Sequence, residues 1–402
     1  MKNLLIMVMA LALVACQSNQ TYQVNNESNT TATTTNVKLA SFNVSMEATN
    51  YVKGDEVAKG PRILMDLLAT GEHPQIQNIA EIIQRNRPDI VLLNEFDYID
   101  NPKLGIKAFI NNYLAKSHNG AKPIDYPYVY VAPSNTGLPT TFDLNNDGKV
   151  SRFGNDAYGY GQYYGQYGMA VLSRYPIDYK NIRTFAQFRW ADMPNAIKPI
   201  HPETKQPFYD EQEWLSLRLS SKSHWDVPVK VNGKTIHVLA SHPTPPVFDG
   251  IEDHNGARNH DEVRFWLDYI RPQHAGYIYD DNGVYGGLEA NSKFVVMGDL
   301  NAAANGGNAR KEAITKLLTS PLVNQSFIPT SEGGKRNKPD VQHSEQHTAG
   351  WGMRIDYVIP SYQMKVIDGG VFWPTQDDEL FRLVKDRKSS SDHRLVWVEV
   401  KL

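Results

Sequence analysis

The run Phe294-Val295-Val296-Met297-Gly298-Asp299-Leu300-Asn301 ends four apolar residues on a carboxylate and a carboxamide one residue apart. Side chains alternate across an extended backbone, so Asp299 and Asn301 are expected on one side, able to share a water or a metal. Standing alone, G-D-x-N is equally the signature of a polar turn at a strand end. Other strand-like runs end in the same manner. Residues 37–44 carry Asn43 near their end, and Ile90-Val91-Leu92-Leu93 closes on Asn94 and Glu95. Residues 235–241 deliver His242, Arg354-Ile355-Asp356 opens a strand at Asp356, and Ser391-Asp392-His393 stands just before the last strand. Strand ends in a packed sheet share a rim, so these six endings are expected to meet in one cleft. Carboxylates and carboxamides without cysteine suit a hard divalent ion such as Mg²⁺ or Mn²⁺. The two histidines add hydrogen bonds or proton transfer.

The elements that must position these groups alternate between strand and helix. Ile76, Ile79, Ala80 and Ile83 recur at helical spacing and Arg87-Pro88-Asp89 stops the pattern, directly before the buried run at 90–93. A further buried strand is expected at 168–173 and a helix near 309–318. His237 is read as an ordinary strand histidine. The polar stretch 249–261 reads as a loop before a helix starting near Glu262, and its Arg258 and Asn259 are candidate phosphate contacts. Residues 178–230 are irregular, rich in Pro, Trp and mixed charge, and read as an insertion whose chemistry is not legible.

Asp143-Leu144-Asn145-Asn146-Asp147-Gly148-Lys149 matches the opening of a calcium loop, with oxygen ligands at alternate positions and Gly sixth. The twelfth position holds Gly154 in place of the usual glutamate, and Asp156 is the substitute. The expected Ca²⁺ set is Asp143, Asn145, Asp147, Lys149 through its carbonyl, and Asp156, weighed against a plain polar turn.

The chain has 402 residues, 41% hydrophobic, with a formal charge of −3, and a mean hydropathy of −0.47. These values fit a globular protein with a sizeable core and exclude an overall basic field for nucleic acid or anionic membrane. Met1-Lys2-Asn3 and the apolar run 4–15 read as an export signal, too short to span a bilayer comfortably. It ends Leu13-Val14-Ala15-Cys16, similar to a bacterial lipoprotein box, and Cys16 is the single cysteine. Lipidation of Cys16 is therefore expected, with Gln17 after it pointing to the outer membrane and no disulfide in the mature fold. Residues 17–36, rich in Ser, Thr and Asn, read as a flexible tether, and the folded part spans 37–402.

The ordered series S-F-N, L-L-N-E, Y-G-M-A-V-L-S-R, L-A-S-H-P, V-V-M-G-D-L-N, R-I-D-Y and S-S-D-H-R resembles the endonuclease/exonuclease/phosphatase superfamily. The resemblance spans residues 37–402. It implies a four-layer α/β sandwich, two mixed sheets face to face with helices outside, in which 100–165, 178–230 and 245–260 are loop elaborations. It also implies roles. Glu95 is the principal metal ligand, with Asn43 and Asp392 in the metal shell. Asp299 orients or deprotonates the attacking water and Asn301 steadies it. His242 and His393 donate to phosphoryl oxygens, one of them to the leaving group, and Asp356 orients His393. The function implied is a monomeric, Mg²⁺- or Mn²⁺-dependent phosphoric-ester hydrolase, held to the membrane only by its lipid. The rivals are a secreted nuclease of the same fold and a non-catalytic envelope binding module.

Overall fold

A computed structural model describes residues 35–402; the expected leader, Cys16 and all but the end of the tether lie outside the described residues. Eleven strands form two mixed sheets. They are β1 (Asn36–Met46), β2 (Ile90–Phe96), β3 (Tyr128–Tyr130), β4 (Met169–Ser173), β5 (Arg183–Thr184), β6 (His224–Val231), β7 (Lys234–Ser241), β8 (Phe294–Asp299), β9 (Asp356–Pro360), β10 (Lys365–Val371) and β11 (Val396–Lys401). One sheet has the order β10-β11-β1-β2-β4-β3 and the other β5-β6-β7-β8-β9. Parallel pairs β1–β2 and β7–β8 sit at the centres, with antiparallel neighbours on both sides.

Burial on both faces explains why the central strands read as unbroken apolar runs. In β8, Val295 and Met297 enter the core shared with β1 and β2, while Phe294 and Val296 enter the second core, under the outer helices. β7 divides likewise, with Val238 and Ala240 inward and Leu239 outward. The helices Arg62–Thr70 and Pro74–Asn86 cover the first sheet through Leu64, Leu68, Ile76, Ile79 and Ile83. His254–Tyr269 and Lys311–Leu318 cover the second through Phe265, Trp266, Ile314 and Leu317. The layers are helix, sheet, sheet, helix, the sandwich expected from the resemblance.

Two sequence expectations need correction. The supposed insertion 178–230 contains β5 and all but the last residue of β6, so its last seven residues belong to the second sheet. The helix expected near Glu262 begins at His254. Its first turns bury Arg258, Asn259, Asp261 and Glu262, polar groups that bind surrounding loops and so hide the apolar period. His237 is a strand histidine as read, paired with Asp226 at 2.8 Å.

His224 opens β6 among the Phe265 and Trp266 rings, at centroid distances of 4.9 and 5.0 Å. Its Nε2 lies 2.9 Å from the Glu262 carbonyl and its Nδ1 2.9 Å from Ser220 Oγ, which fixes a neutral tautomer. Burial lowers its pKa to about 4. The unfolded chain therefore binds a proton that the fold refuses, and stability is lost as pH falls from about 6.5 to 4. We expect acid denaturation to cost on the order of 3 kcal/mol through this residue. His224→Gln should flatten the slope of unfolding free energy against pH over that window; an unchanged slope would show that His224 is not the group responsible.

Candidate active site

The six strand ends meet at one end of the sandwich, where the rims of the two sheets adjoin. The β8 end is the tightest point. Gly298 has φ of +147°, and a Cβ there would stand 2.0 Å from the Ser241 carbonyl, so only glycine lets β8 run this close to β7. Asp299 N donates to Asn94 Oδ1 (3.1 Å), and Asn94 Nδ2 donates to Ser241 O (3.2 Å). One carboxamide from β2 thus ties the ends of β7 and β8 to the first sheet.

Beyond Asp299 the backbone leaves the extended region, with φ of +50° at Asn301. Alternation therefore does not place Asp299 and Asn301 together. An Asx turn does, with Asn301 N donating to Asp299 Oδ1 at 3.0 Å. The turn and the site are the same structure. Asn301 Nδ2 donates across to Pro243 O (3.1 Å), beside His242.

Asp299 Oδ2 is the hub. Asn43 Nδ2 donates to it at 3.1 Å, and His242 Nε2 and His393 Nε2 lie 3.5 and 3.8 Å away. His393 Nδ1 is 3.0 Å from Asp356 Oδ2, and Asp356 N donates to Thr348 Oγ1. The environments of the two histidines are opposed. Burial works to lower His393, but the Asp356 and Asp299 carboxylates outweigh it and raise its pKa to about 10. Burial and the nearby Lys222 ammonium lower His242 to about 4. Burial would raise Asp299, yet the His393 cation and the His242 and Asn43 hydrogen bonds hold it well below the ordinary carboxylate range. One histidine is a fixed cation and the other is neutral.

Glu95 presents a different face of the same centre. It adopts φ of +55°, and its Oε2 is buried with no hydrogen-bond partner among the described residues. Burial pushes its pKa up to about 7 despite the Arg387 and His393 cations. An orphaned carboxylate oxygen in a strained backbone position is what a hard cation would relieve. Glu95, His242 and Asp299 offer donor atoms within 4.8 Å of one another. Asp392, 30% exposed, accepts from Ser45 Oγ at 3.4 Å. The donor set Glu95, His242 and Asp299 fits a divalent ion.

Several residues here escaped the sequence. Glu47 is buried just past Asn43, and Arg387 reaches toward Glu47, Glu95 and Asp392 at 3.7, 3.7 and 3.4 Å. Trp351, 46% exposed, meets the His393 ring edge to face at 5.1 Å. Lys222 lines the cleft floor. Asn94 had a signal, standing next to Glu95 at a strand end; the others lie in loops without periodicity.

The candidate phosphate contacts both lie in the helix His254–Tyr269, and Arg258 lines the cleft. Arg258 is buried and donates to the carbonyls of Leu219 and Arg218, at 2.9 and 2.8 Å. Asn259 Nδ2 donates to Thr244 O (2.8 Å) and Leu300 O (3.0 Å). Asn259 thus braces the ends that carry His242 and Asp299, while Arg258 holds loop carbonyls through Nε and Nη2. In the 143–156 loop, Asp143 accepts from Asp147 N and Gly148 N, and Asp147 accepts from Lys149 N. Asn145 Oδ1 accepts from Asp147 N, and buried Asp156 accepts from Leu144 N and Ser151 N.

An α/β sandwich with such a centre defines the class as one that handles hard cations and anionic oxygens. Residues 40–393 match the model of the Endonuclease/Exonuclease/phosphatase family, and the chain belongs to that family of metal-dependent phosphoester hydrolases. Among solved structures it is similar to an endonuclease/exonuclease/phosphatase from Beutenbergia cavernae DSM 12333, at 17% identity and a TM-score of 0.47, covering 91% of this chain and 72% of that one. It is also similar to sphingomyelinase C from Streptomyces griseocarneus, at 13% identity and 0.43, covering 91% and 99%. TDP2 from C. elegans stands at 13% identity and 0.41, covering 91% and 75%. No curated protein matches the chain.

In metal-free protein, histidine NMR should show His393 losing its proton only near pH 10. Asp356→Asn removes the largest charge that raises it, so its pKa should fall toward the ordinary value. An unmoved titration would mean that Asp356 does not hold the His393 proton.

Proposed function

We propose that the protein hydrolyses a phosphoric ester by in-line attack of a water held at Asp299. The observation that carries this reading is the convergence of Asn43, His242 and His393 on one oxygen of Asp299, beside the orphaned Glu95 carboxylate. A carboxylate held so acidic is a poor base. Asp299 therefore orients the water, and Asn301 steadies its turn. His393 keeps its proton and supplies a charged donor to the phosphoryl oxygens, while neutral His242 supplies a second donor. Asp356 keeps the His393 ring and tautomer in place. Mg²⁺ or Mn²⁺ held by Glu95, with Asn43 and Asp392, would neutralise charge growing on the phosphoryl group.

A phosphodiester or other small or lipid phosphoester is favoured over nucleic acid. The cleft, about 1120 Å³, is lined by Tyr160, Tyr167, Phe208, Tyr209 and Trp351. Both of its arginines are engaged within the protein, Arg258 by carbonyls and Arg387 by carboxylates, so no row of free cations tracks along it. A groove for polyanions would keep such charges free.

Assayed against plasmid DNA, a phosphodiester reporter, a phosphomonoester and phospholipid, purified protein should turn over a small or lipid phosphoester faster than plasmid DNA, and lose activity with chelator. Asp299→Ala should lower kcat by about 10³-fold or more, taking orientation and charge stabilisation together. Activity surviving both treatments would sink the mechanism, and dominant plasmid cleavage would transfer the assignment to a nuclease.

We place the enzyme on the cell envelope through lipidated Cys16. Cys16→Ala should move it from the membrane to the soluble fraction, and unchanged fractionation would remove the anchor. For the 143–156 loop we propose Ca²⁺. Asp143→Ala with Asp147→Ala should lower Tm only when Ca²⁺ is present; a Ca²⁺-independent effect would leave a polar turn.

A further inference from the structure

Lys222 reaches the catalytic cleft from the segment just before β6, and no catalytic step described above uses it. The residue is 5% exposed yet lines the cleft with His242, Asp299 and Asn301. Its Nζ makes one hydrogen bond among the described residues, to Pro243 O at 3.4 Å. The same carbonyl accepts from Asn301 Nδ2 at 3.1 Å. The ammonium and the carboxamide therefore stand side by side at the foot of His242. An ammonium carries three donors, so a single long contact leaves it unsatisfied.

Its position is held from behind. Glu262, buried in the helix His254–Tyr269, accepts from Ser221 N (2.7 Å), Ser221 Oγ (3.1 Å) and Thr244 N (2.6 Å). One carboxylate thus clamps the segment before Lys222 to the segment after His242. Asn135 N donates to the Lys222 carbonyl at 2.8 Å and fixes the other side. Glu262 spends its oxygens on these donors and makes no hydrogen bond to Nζ. A buried charge without a close partner is costly to keep, and an apolar side chain of similar size would avoid that cost. A lysine kept in this state serves something that arrives from the cleft.

We propose that Lys222 is a phosphate ligand of the cleft, donating from Nζ to a non-bridging oxygen of the phosphoester beside Asn301. The proposal rests on the phosphoester reading of the site, and it assigns a binding role to the segment whose chemistry the sequence left blank. The ligand chemistry is a phosphoryl group, and inorganic phosphate is the simplest probe.

The test is calorimetric titration of inorganic phosphate into Mn²⁺-loaded protein, for wild type, Lys222→Met and Lys222→Arg, with Tm recorded for each. Loss of a charge-assisted hydrogen bond should weaken phosphate binding about tenfold or more in Lys222→Met. Its Tm in the absence of phosphate should equal or exceed that of wild type. Lys222→Arg, which keeps the charge, should recover part of the affinity. Equal affinity in wild type and Lys222→Met would overturn the proposal, as would a fall in Tm with affinity unchanged. If Lys222→Met does not fold, wild-type protein loaded with diamagnetic Mg²⁺ decides: phosphate must shift the NMR signals of the Lys222 ε-methylene, and an unmoved signal overturns the assignment. Lys222-dependent phosphate binding in a protein that hydrolyses none of the four substrate classes would sink the hydrolase reading and leave the ligand standing. Hydrolysis with phosphate affinity indifferent to Lys222 would do the reverse.

Discussion

The structure depends on one oxygen atom. Asp299 Oδ2 draws Asn43 from β1, His242 from the end of β7 and His393 from the approach to β11. These elements belong to two different sheets, so the carboxylate can gather them only if the rims of the sheets stay locked together. Gly298 permits the close approach of β8 to β7, and Asn94 carries that junction over to the first sheet. Packing of the central strands supplies the rigidity that fixes the rim.

Charge is distributed unevenly within that frame. Asp356 and Asp299 hold a proton on His393, whereas burial and Lys222 strip one from His242. Glu95, with a buried oxygen that no hydrogen bond satisfies among the described residues and the Arg387 guanidinium no nearer than 3.7 Å, is the group in most need of a cation. The site thus separates a fixed positive donor, a neutral donor and an unsatisfied carboxylate within a few ångströms. Phosphoryl transfer asks for that separation, because charge grows on several oxygens at once and must be met by groups already in place.

The strand ends were legible because two-sided burial writes long apolar runs, and a polar residue closing such a run stands out. Asn43, Glu95, His242 and Asp299 announced themselves this way, and Asp356 and the pair Asp392-His393 did so by standing at or just before the start of such a run. Helix His254–Tyr269 did not, since its first turns bury Arg258, Asn259 and Glu262 to satisfy loop backbones and so read as a solvated loop. Lys222, Arg387 and Trp351 come from loops, where no period marks which side chain turns inward. Asp299 and Asn301 are joined by a turn in place of the alternation that the sequence suggests.

The most direct test is a crystal structure grown with Mn²⁺, with the ion located by its anomalous scattering. The account predicts an ion bonded to Glu95 at about 2.0–2.2 Å, a distance expected for a hard divalent ion on oxygen, with Asn43 or Asp392 in its shell and Arg387 displaced from Glu95. An ion bound away from Glu95, or Glu95 still facing Arg387 in Mn²⁺-saturated crystals, would contradict it.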